Sequence, residues 1–251
     1  MLALFAGYFD SGGRKRKASS LTKNSTSASG GGNKPATFLS GQPHTMRVAL
    51  LTISDRAHAG VYPDLSGPEM RRQLAEFPED VSCWPSNLAC TVTASAIVPD
   101  DVDLIRQQVL QWTGAGERGI VSSDEGTDVV DVVLTSGGTG FGVRDLTPEA
   151  LRPILHREAP GTRFIYSIGG ISFSYGWFLG VAQALLNEGL KHTPLAVLSR
   201  PIAGTIHRTF ICTLPGSVKA VKENMQALRP LLPRIVELLV SGADSGSLHM
   251  G

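Results

Sequence analysis

The sequence predicts an α/β domain, a three-layer sandwich in which a mostly parallel sheet carries helices on both faces. Short apolar runs alternate along the chain with segments of helical periodicity, and this alternation is typical of parallel sheets covered by helices. Turn residues, mostly glycine, serine and proline, follow several of the apolar runs. The chain has 251 residues, of which 42% are hydrophobic, enough to bury a sizeable core.

The strands are predicted from apolar, β-branched runs and the helices from apolar residues spaced three or four apart. We expect strands at 47–54, 90–98, 131–134 and 209–214. We expect helices at 67–77 (capped by Ser66), at 101–112, from Thr147, at 181–190, and after Ser217 and Pro230. In the helix at 101–112, the apolar residues Val102, Ile105, Val109 and Trp112 fall near one face, which should pack on the sheet.

Charge divides the chain into a leader, a body and a short tail. Residues 1–45 hold six lysines and arginines against Asp10 alone, and they are rich in Ser, Thr and Gly, which predicts a disordered leader. We interpret this leader as an uncleaved extension in preference to a transit peptide, and Met46 is an alternative translation start. The rest of the chain, 46–251, holds 17 basic and 21 acidic residues, which disfavours nucleic acid as the main partner. Residues 242–251 are expected to form a flexible tail.

The three cysteines, Cys83, Cys90 and Cys212, indicate a reducing compartment. Their number is odd and none has CxxC spacing, so neither a disulfide framework nor a zinc site is indicated. A cytoplasmic location is expected.

The stretch TSGGTGFGVRDLTPEA, at 135–150, predicts an anion-binding loop between a strand and a helix. Its glycines, beginning with Gly137 and Gly138, would let phosphate approach the backbone N–H groups and would permit positive φ angles. Thr147, Pro148 and Glu149 have the pattern of an N-cap, a first-turn proline and a first-turn acid. The loop fits neither the Walker A motif nor GxGxxG, which excludes the familiar nucleotide-binding loops.

This stretch closely resembles the signature of the molybdenum-cofactor biosynthesis family, which includes bacterial molybdopterin adenylyltransferases and the G domains of gephyrin and its plant counterpart. The matching residues are GGTG at 137–140, Arg144-Asp145, and LTPE at 146–149. The resemblance continues through 51–70, 97–112, 195–204 and 209–225, and covers most of 46–241. It implies the MoaB/Mog-like fold.

The resemblance also implies a reaction. AMP would pass from ATP to the terminal phosphate of molybdopterin, giving adenylyl-molybdopterin and pyrophosphate with the help of Mg²⁺. By resemblance, Asp100 and Asp145 jointly hold the metal and act in catalysis. Each has a structural alternative: an N-cap for Asp100, and a turn or an ion pair with Arg144 for Asp145.

Further substrate and nucleotide contacts carry over from the resemblance, although several of these residues could equally be ordinary caps and turns. They are Ser54, Asp55, Ser66, Gly67, Gly137, Gly138, Thr139, Gly140, Arg144, Thr147, Glu149, Pro215, Gly216 and Ser217. The chain departs from the family pattern at Val218 and at 205–207, where a basic contact is lost or moved to Arg208.

The implied partners are small-molecule substrates, a homotrimer of this chain, and a molybdate-insertion domain that takes over the product. Neither nucleic acid nor a membrane span is expected. The alternative function is a non-catalytic, molybdopterin-binding oligomeric scaffold of the same fold. A molybdate-inserting enzyme and a nucleotide pyrophosphatase are further rivals.

An aromatic segment at 162–180 interrupts the family pattern. Its nineteen residues contain one charged side chain, Arg163, and six of the sixteen aromatic residues of the chain. We reject a membrane span, because it would put the two halves of one sheet on opposite sides of a bilayer. Two interpretations stay open: an aromatic lid or partner-binding loop, and a retained intron. The intron is favoured because removing the segment restores the family pattern REAPG-VAQALL.

Overall fold

The computed structural model describes residues 44–76, 88–115, 129–159, 162–168, 171–178 and 180–241, and at 162–168 and 171–178 only the course of the backbone. Three sequence-based predictions therefore lie outside the described residues. They concern the leader before His44, the tail at 242–251, and most of a flexible segment that the sequence predicts at 114–126, before the strand at 131–134.

The described residues form eight strands: β1 (His44–Ile53), β2 (Leu88–Val98), β3 (Val132–Ser136), β4 (Arg157–Glu158), β5 (Thr162–Ile168), β6 (Ile171–Phe178), β7 (Ala203–Ile206) and β8 (Thr209–Leu214). Six of them form one sheet in the order β2-β1-β3-β8-β7-β4, and β5 and β6 form a separate hairpin. Strands β2, β1, β3 and β8, which are neighbours in this order, are parallel, whereas β7 is antiparallel to β8 and to β4. The parallel α/β sheet is confirmed, but β4 and β7 were not predicted from sequence.

The described residues also form seven α-helices, and none of them is long and apolar enough to cross a membrane. They are α1 (Asp55–His58), α2 (Ser66–Ala75), α3 (Val102–Trp112), α4 (Thr147–Leu151), α5 (Val181–His192), α6 (Val218–Leu228) and α7 (Leu232–Ser241). Short 3-10 segments follow α4, α5 and α6.

Each face of the sheet packs on its own set of helices, which confirms the three-layer arrangement. One buried cluster joins the sheet to α2, α5, α6 and α7, with Met70, Leu185, Met225 and Val236 as helix members. The opposite cluster joins it to α3 and α4. The predicted apolar face of α3 lies in this second cluster, where Ile105 and Val109 are fully buried. Because all five residues of β3 are buried, this strand lies at the centre of the core.

The ends of β1 and the course of β2 differ from the sequence-based prediction. β1 begins before Met46, since His44 and Thr45 pair with Leu88 and Ala89. In β2 the register shifts at Thr93, which has no partner in β1. Such a bulge reverses the faces of the following residues. Residues before it pack on the first cluster, and Ala94, Ala96 and Val98 pack on the second.

Two of the predicted N-caps are wrong. Ser66 is the first residue of α2, and the carboxylate of Asp64 accepts the hydrogen bonds that cap this helix. Thr147 is the first residue of α4, and its hydroxyl donates to a loop carbonyl. An N-cap oxygen accepts from the N–H groups of the first turn, whereas both of these hydroxyls donate to other oxygens.

The aromatic segment begins and ends at neighbouring points of the domain. The backbones of β5 and β6 pair as an antiparallel hairpin apart from the main sheet. On its two flanks, the N–H of Ala182 in α5 donates to the carbonyl of Ala159, at 3.3 Å. The residues that flank the segment on its two sides therefore lie within hydrogen-bonding distance of each other.

Candidate functional site

A groove of about 720 Å³ opens where β1, β2, β3 and β8 end. The carboxyl ends of parallel strands are where open α/β sheets bind ligands. Nine of the residues predicted as site residues line it: Ser54, Asp55, Ser66, Asp100, Gly137, Gly138, Asp145, Gly216 and Ser217. Apolar groups from Tyr62, Leu65 and Val218 complete its wall.

Gly137 and Gly138 form the floor of this groove in conformations that favour glycine. Their φ angles are +98° and +60°. A Cβ on Gly137 would lie 2.1 Å from the carbonyl oxygen of Ile53. A Cβ on Gly138 would lie 2.4 Å from Thr147 Oγ1 and 3.0 Å from Asp100 Oδ1. Both the backbone conformation and the available space therefore require glycine here.

Thr147 fixes this glycine turn from inside the protein. Its buried hydroxyl donates to the carbonyl of Gly137 at 2.9 Å, and its N–H donates to the carbonyl of Gly138 at 3.0 Å. The N–H of Gly138, by contrast, donates to no acceptor in the described part of the protein. The turn is thus held rigidly while one donor stays available to a ligand.

Asp55 and Asp100 are joined by two reciprocal hydrogen bonds. The N–H of Asp55 donates to Asp100 Oδ2, and the N–H of Asp100 donates to Asp55 Oδ1, each at 3.0 Å. The structural alternative for Asp100 is not realised, because the side chain of Asp101 caps α3. Burial raises the pKa of the Asp100 carboxyl above its ordinary value, although the backbone N–H of Asp55 opposes the shift.

Arg144 closes one side of the acidic pair. Its Nε and Nη2 atoms donate to the two carboxylate oxygens of Asp55, at 2.9 and 2.8 Å. This bidentate contact, with the backbone N–H of Asp100, holds the pKa of Asp55 below its ordinary value. Arg144 therefore pairs with Asp55, and the ion pair with Asp145 that the sequence left open is not formed.

The carboxylate of Asp145 is partly engaged by its own loop. Oδ2 accepts from the N–H of Gly142 at 2.7 Å, and the N–H of Asp145 donates to the carbonyl of Gly142 at 2.9 Å. A Cβ on Gly140 or Gly142 would lie within 2.8 Å of Oδ2. Both glycines therefore make room for this carboxylate, and its Oδ1 oxygen makes no hydrogen bond to the described residues.

The helix N-termini at Ser66 and Ser217, two of the residues carried over as substrate contacts, differ in what their N–H groups bind. At α2, Asp64 accepts from the N–H groups of Ser66 and Gly67, both at 3.0 Å, and from the hydroxyls of Thr52 and Ser66. The protein's own carboxylate thus occupies that end. Sequence reasoning missed Asp64, although an aspartate two residues before Ser66 is the pattern of an Asx turn.

The N-terminus of α6 is open to the groove. The helix begins after Ser217 as predicted, and Ser217 caps it by accepting from the N–H of Ala220 at 3.2 Å. The N–H groups of Val218 and Lys219 have no acceptor among the described residues. Gly216 packs against the glycine turn, where a Cβ would lie 3.2 Å from the Cα of Gly137.

Seven predicted residues do not line the groove. They are Gly67, Thr139, Gly140, Arg144, Thr147, Glu149 and Pro215. Thr139, Gly140 and Glu149 lie on the other side of the loop, in contact with Ser199 and Arg200. Sequence reasoning assigned no role to Arg200, although it lies in a segment that resembles the family.

Arg208 does not supply the missing basic contact. It precedes β8, at the opposite end of that strand from the groove, and its side chain donates to the carbonyl of Val240 at 3.0 Å. The neighbouring His207 adopts a φ of +50° in the β7–β8 turn.

Comparison with known proteins agrees with this geometry. A family model for molybdenum-cofactor biosynthesis, described as a probable molybdopterin binding domain, matches residues 49–234. The chain belongs to this family.

Two curated relatives in the same family differ in length. Gephyrin of Dictyostelium discoideum is 36% identical over 202 residues, which cover 79% of this chain but 23% of gephyrin, so the chain spans under a quarter of that relative. A protein named molybdopterin adenylyltransferase from Helicobacter pylori strain J99 is 29% identical over 196 residues, which cover 78% of this chain and 89% of the relative.

Solved structures of the family share the fold. The molybdopterin biosynthesis enzyme MoaB from Thermus thermophilus matches with a TM-score of 0.56 and 32% identity, and the match covers 78% of this chain and 97% of MoaB. The MoaB/Mog-like fold is therefore confirmed.

The acidic side chains that the structure describes do not form a metal site by themselves. Among the described residues, no group of three or more His, Cys, Asp or Glu side chains is placed to hold a metal ion. Mg²⁺ is usually held by one or two carboxylates together with substrate phosphates and water. Asp100 and Asp145 each present a carboxylate oxygen that makes no hydrogen bond to the described residues, which fits such a shared site.

Proposed function

We propose that this chain transfers AMP from ATP to the terminal phosphate of molybdopterin, in a reaction that requires Mg²⁺. The observation that carries the proposal is that a rigid glycine turn with an available N–H and two carboxylates, Asp100 and Asp145, line one groove. Adenylyl transfer needs this combination, because it gathers several phosphate charges around one phosphorus atom.

Backbone N–H groups would bind the phosphate anions. The N–H of Gly138 and the first N–H groups of α6 approach the groove from different elements, and both are available to an anion. The N-terminus of α6 lies close to the carboxyl end of β3, where Gly216 packs against Gly137. This support would keep the donors in place during the reaction, so that phosphate is bound without reorganisation of the protein.

Asp100 and Asp145 would hold the Mg²⁺ ion through their remaining oxygens. The ion, when bound, would neutralise phosphate charge and help to align the reacting groups. The raised pKa of Asp100 means that its charged form lacks stabilisation in the unliganded protein. A cation would supply that stabilisation. Asp55 would act indirectly, because its carboxylate holds the backbone N–H of Asp100 and the guanidinium of Arg144.

The decisive experiment incubates the purified chain with molybdopterin, ATP and Mg²⁺ and follows adenylyl-molybdopterin and pyrophosphate together. Both products should accumulate in equal amounts, and a chelator of divalent cations should abolish both. Binding of molybdopterin without AMP transfer would contradict the proposal and favour a binding scaffold.

The trimer, the cytoplasmic location and the transfer of product to a molybdate-insertion domain belong to the same proposal. Their support is the family membership alone. Light scattering of the purified chain tests the trimer, for which a mass near three chains is expected. A mass of one chain would contradict it.

A further inference from the structure

Arg200 contacts the loop at 139–149 on the side away from the groove. It lies in the segment between α5 and β7, and the nearest of its partners in this loop, Glu149, is 51 residues away along the chain. Its own N–H donates to the carbonyl of Thr139 at 2.8 Å. Its Nε donates to the carbonyl of Gly140 at 2.8 Å, and its Nη2 donates to the carbonyl of Asp145 at 2.7 Å.

Two further contacts fix the orientation of the guanidinium. Its Nη1 donates to the carboxylate of Glu149 in α4, and its carbon lies 5.3 Å from the centre of the Phe141 ring. The Arg200 side chain is only 27% exposed, so solvent screens these contacts less than it screens those of Arg144, which is 62% exposed.

We propose that Arg200 is a positioning residue that sets the geometry of the groove loop and hence of Asp145. The carbonyls of Gly140 and Asp145 flank the turn in which Gly142 and Asp145 bond to each other. One planar group that binds both carbonyls fixes the width of this turn. Because the turn determines where the Asp145 carboxylate lies, the width of the turn sets the position of that carboxylate in the groove.

A lysine at this position cannot replace the arginine. Guanidinium presents several N–H donors in a fixed planar fork, whereas an ammonium group is a single nitrogen. Lysine can keep the attraction to Glu149, but it cannot bind that carboxylate and both loop carbonyls in this geometry. The substitution Arg200→Lys therefore removes the fork and keeps the charge.

The test compares Arg200→Lys with the wild type, and uses Arg208→Lys as the matched control. Arg208 also donates to a backbone carbonyl, but far from the groove. Hydrogen exchange is measured at the amides of Gly142 and Asp145, both of which are hydrogen-bonded inside the turn. In Arg200→Lys both amides should exchange at least tenfold faster, while the amides of β8 stay unchanged. In Arg208→Lys the two loop amides should exchange as in the wild type.

A kinetic measurement separates positioning from general support of the fold. This part rests on the proposed AMP transfer: Arg200→Lys should lower kcat at least tenfold and change the KM for ATP less than threefold. If the wild type transfers no AMP, the proposed function fails while hydrogen exchange still tests the role of Arg200. Unchanged exchange rates of the two loop amides in Arg200→Lys would overturn the proposal. An equal rise in the exchange rates of the β8 amides together with a lowered Tm would also overturn it, because the whole fold would then be weakened. The same holds for an unchanged kcat if the wild type is active.

Discussion

Asp55 and Asp100, 45 residues apart in sequence, each accept a hydrogen bond from the backbone N–H of the other. Asp55 follows β1 and Asp100 follows β2, two neighbouring parallel strands. These two hydrogen bonds hold the carboxyl ends of β1 and β2 together and leave Asp100 Oδ1 beside the glycine turn. Both carboxylates therefore have a structural role, which for Asp100 is in addition to the Mg²⁺ binding proposed for it.

Removing the charge of Asp100 or Asp145 should impair AMP transfer without unfolding the chain. We expect Asp100→Asn and Asp145→Asn to lower kcat/KM more than about tenfold, a loss of roughly 1.4 kcal/mol of transition-state stabilisation. Asparagine keeps an oxygen that can accept from the N–H of Asp55 or Gly142. Asp103→Asn is the control, since its side chain is 93% exposed on α3. Wild-type turnover in both site variants would refute the metal assignment.

Replacing Arg144 should change the titration of Asp55. Because the Arg144 hydrogen bonds lower the pKa of Asp55, Arg144→Gln should raise that pKa toward its ordinary value, measured by carboxyl NMR. The pair stabilises the fold above the unfolded-state pKa of Asp55, and this contribution is lost as the pH falls through the lowered folded-state pKa.

Urea unfolding of Arg144→Gln should follow the same pH dependence. The variant should be less stable than the wild type near neutral pH, and the two should converge in acid. High salt should also reduce the difference, because the pair is exposed to solvent. Arg152→Gln, at an exposed ion pair with Glu158, is the control and should leave the pKa of Asp55 unaltered. A stability difference that persists at acid pH would count against the pair as its source.

Gly137→Ala should destabilise the domain far more than Gly60→Ala. Both glycines have positive φ, but a Cβ on Gly60 meets no atom within 4 Å, whereas one on Gly137 meets the Ile53 carbonyl. We expect a loss of about 1–2 kcal/mol at Gly60 from backbone strain alone. At Gly137 we expect about 3 kcal/mol or more from strain plus crowding. Urea unfolding measures both, and equal losses would contradict the close approach.

Deleting residues 162–180 should leave the main sheet intact. The flanking residues Ala159 and Ala182 already share a hydrogen bond, so joining Gly161 to Val181 closes a short gap. The hairpin pairs with itself and not with the six-stranded sheet. Circular dichroism and Tm of the shortened chain should match those of the full chain. Loss of cooperative unfolding would show that the segment belongs to the core.

Sequencing of the mature transcript tests the origin of this segment. If the nineteen residues are a retained intron, the dominant message should lack them. A dominant message that encodes all of them would exclude the intron and leave a lid or partner-binding loop.

A chain that begins at His44 should be more stable than one that begins at Met46. The shorter chain loses the β1 pairing of His44 with Leu88 and of Thr45 with Ala89. With a loss of roughly 1 kcal/mol, its Tm should be lower by about 2–4 °C for a domain of this size. Removal of residues 1–43 alone should leave Tm and activity unchanged. A large loss on that removal would show that the leader contacts the domain.

The sequence alone was sufficient to predict the parallel α/β sheet, most of its helices and the region of the groove. These features depend on local patterns: the burial of β3 and β8 follows from apolar runs, and the glycine turn follows from GGTG after a strand. Because the ends of parallel strands meet at one edge of the sheet, the placement of Asp100 beside this turn could also be expected. The short strands β4 and β7 were missed because two to four residues carry little periodicity.

Only the tertiary structure decided how the groove is held and which of its donors are available. Three contacts depend on side-chain geometry that the sequence pattern does not encode. They are the reciprocal hydrogen bonds of Asp55 and Asp100, the hydrogen bond from Arg200 to Gly140, and the binding of Asp64 at the N-terminus of α2. The first two join residues 45 and 60 positions apart. Local propensity sets which residues start a helix or permit a turn. Packing of the sheet against its two helix layers then brings distant carboxylates and donors within hydrogen-bonding distance, where the strength and direction of each bond depend on fractions of an ångström.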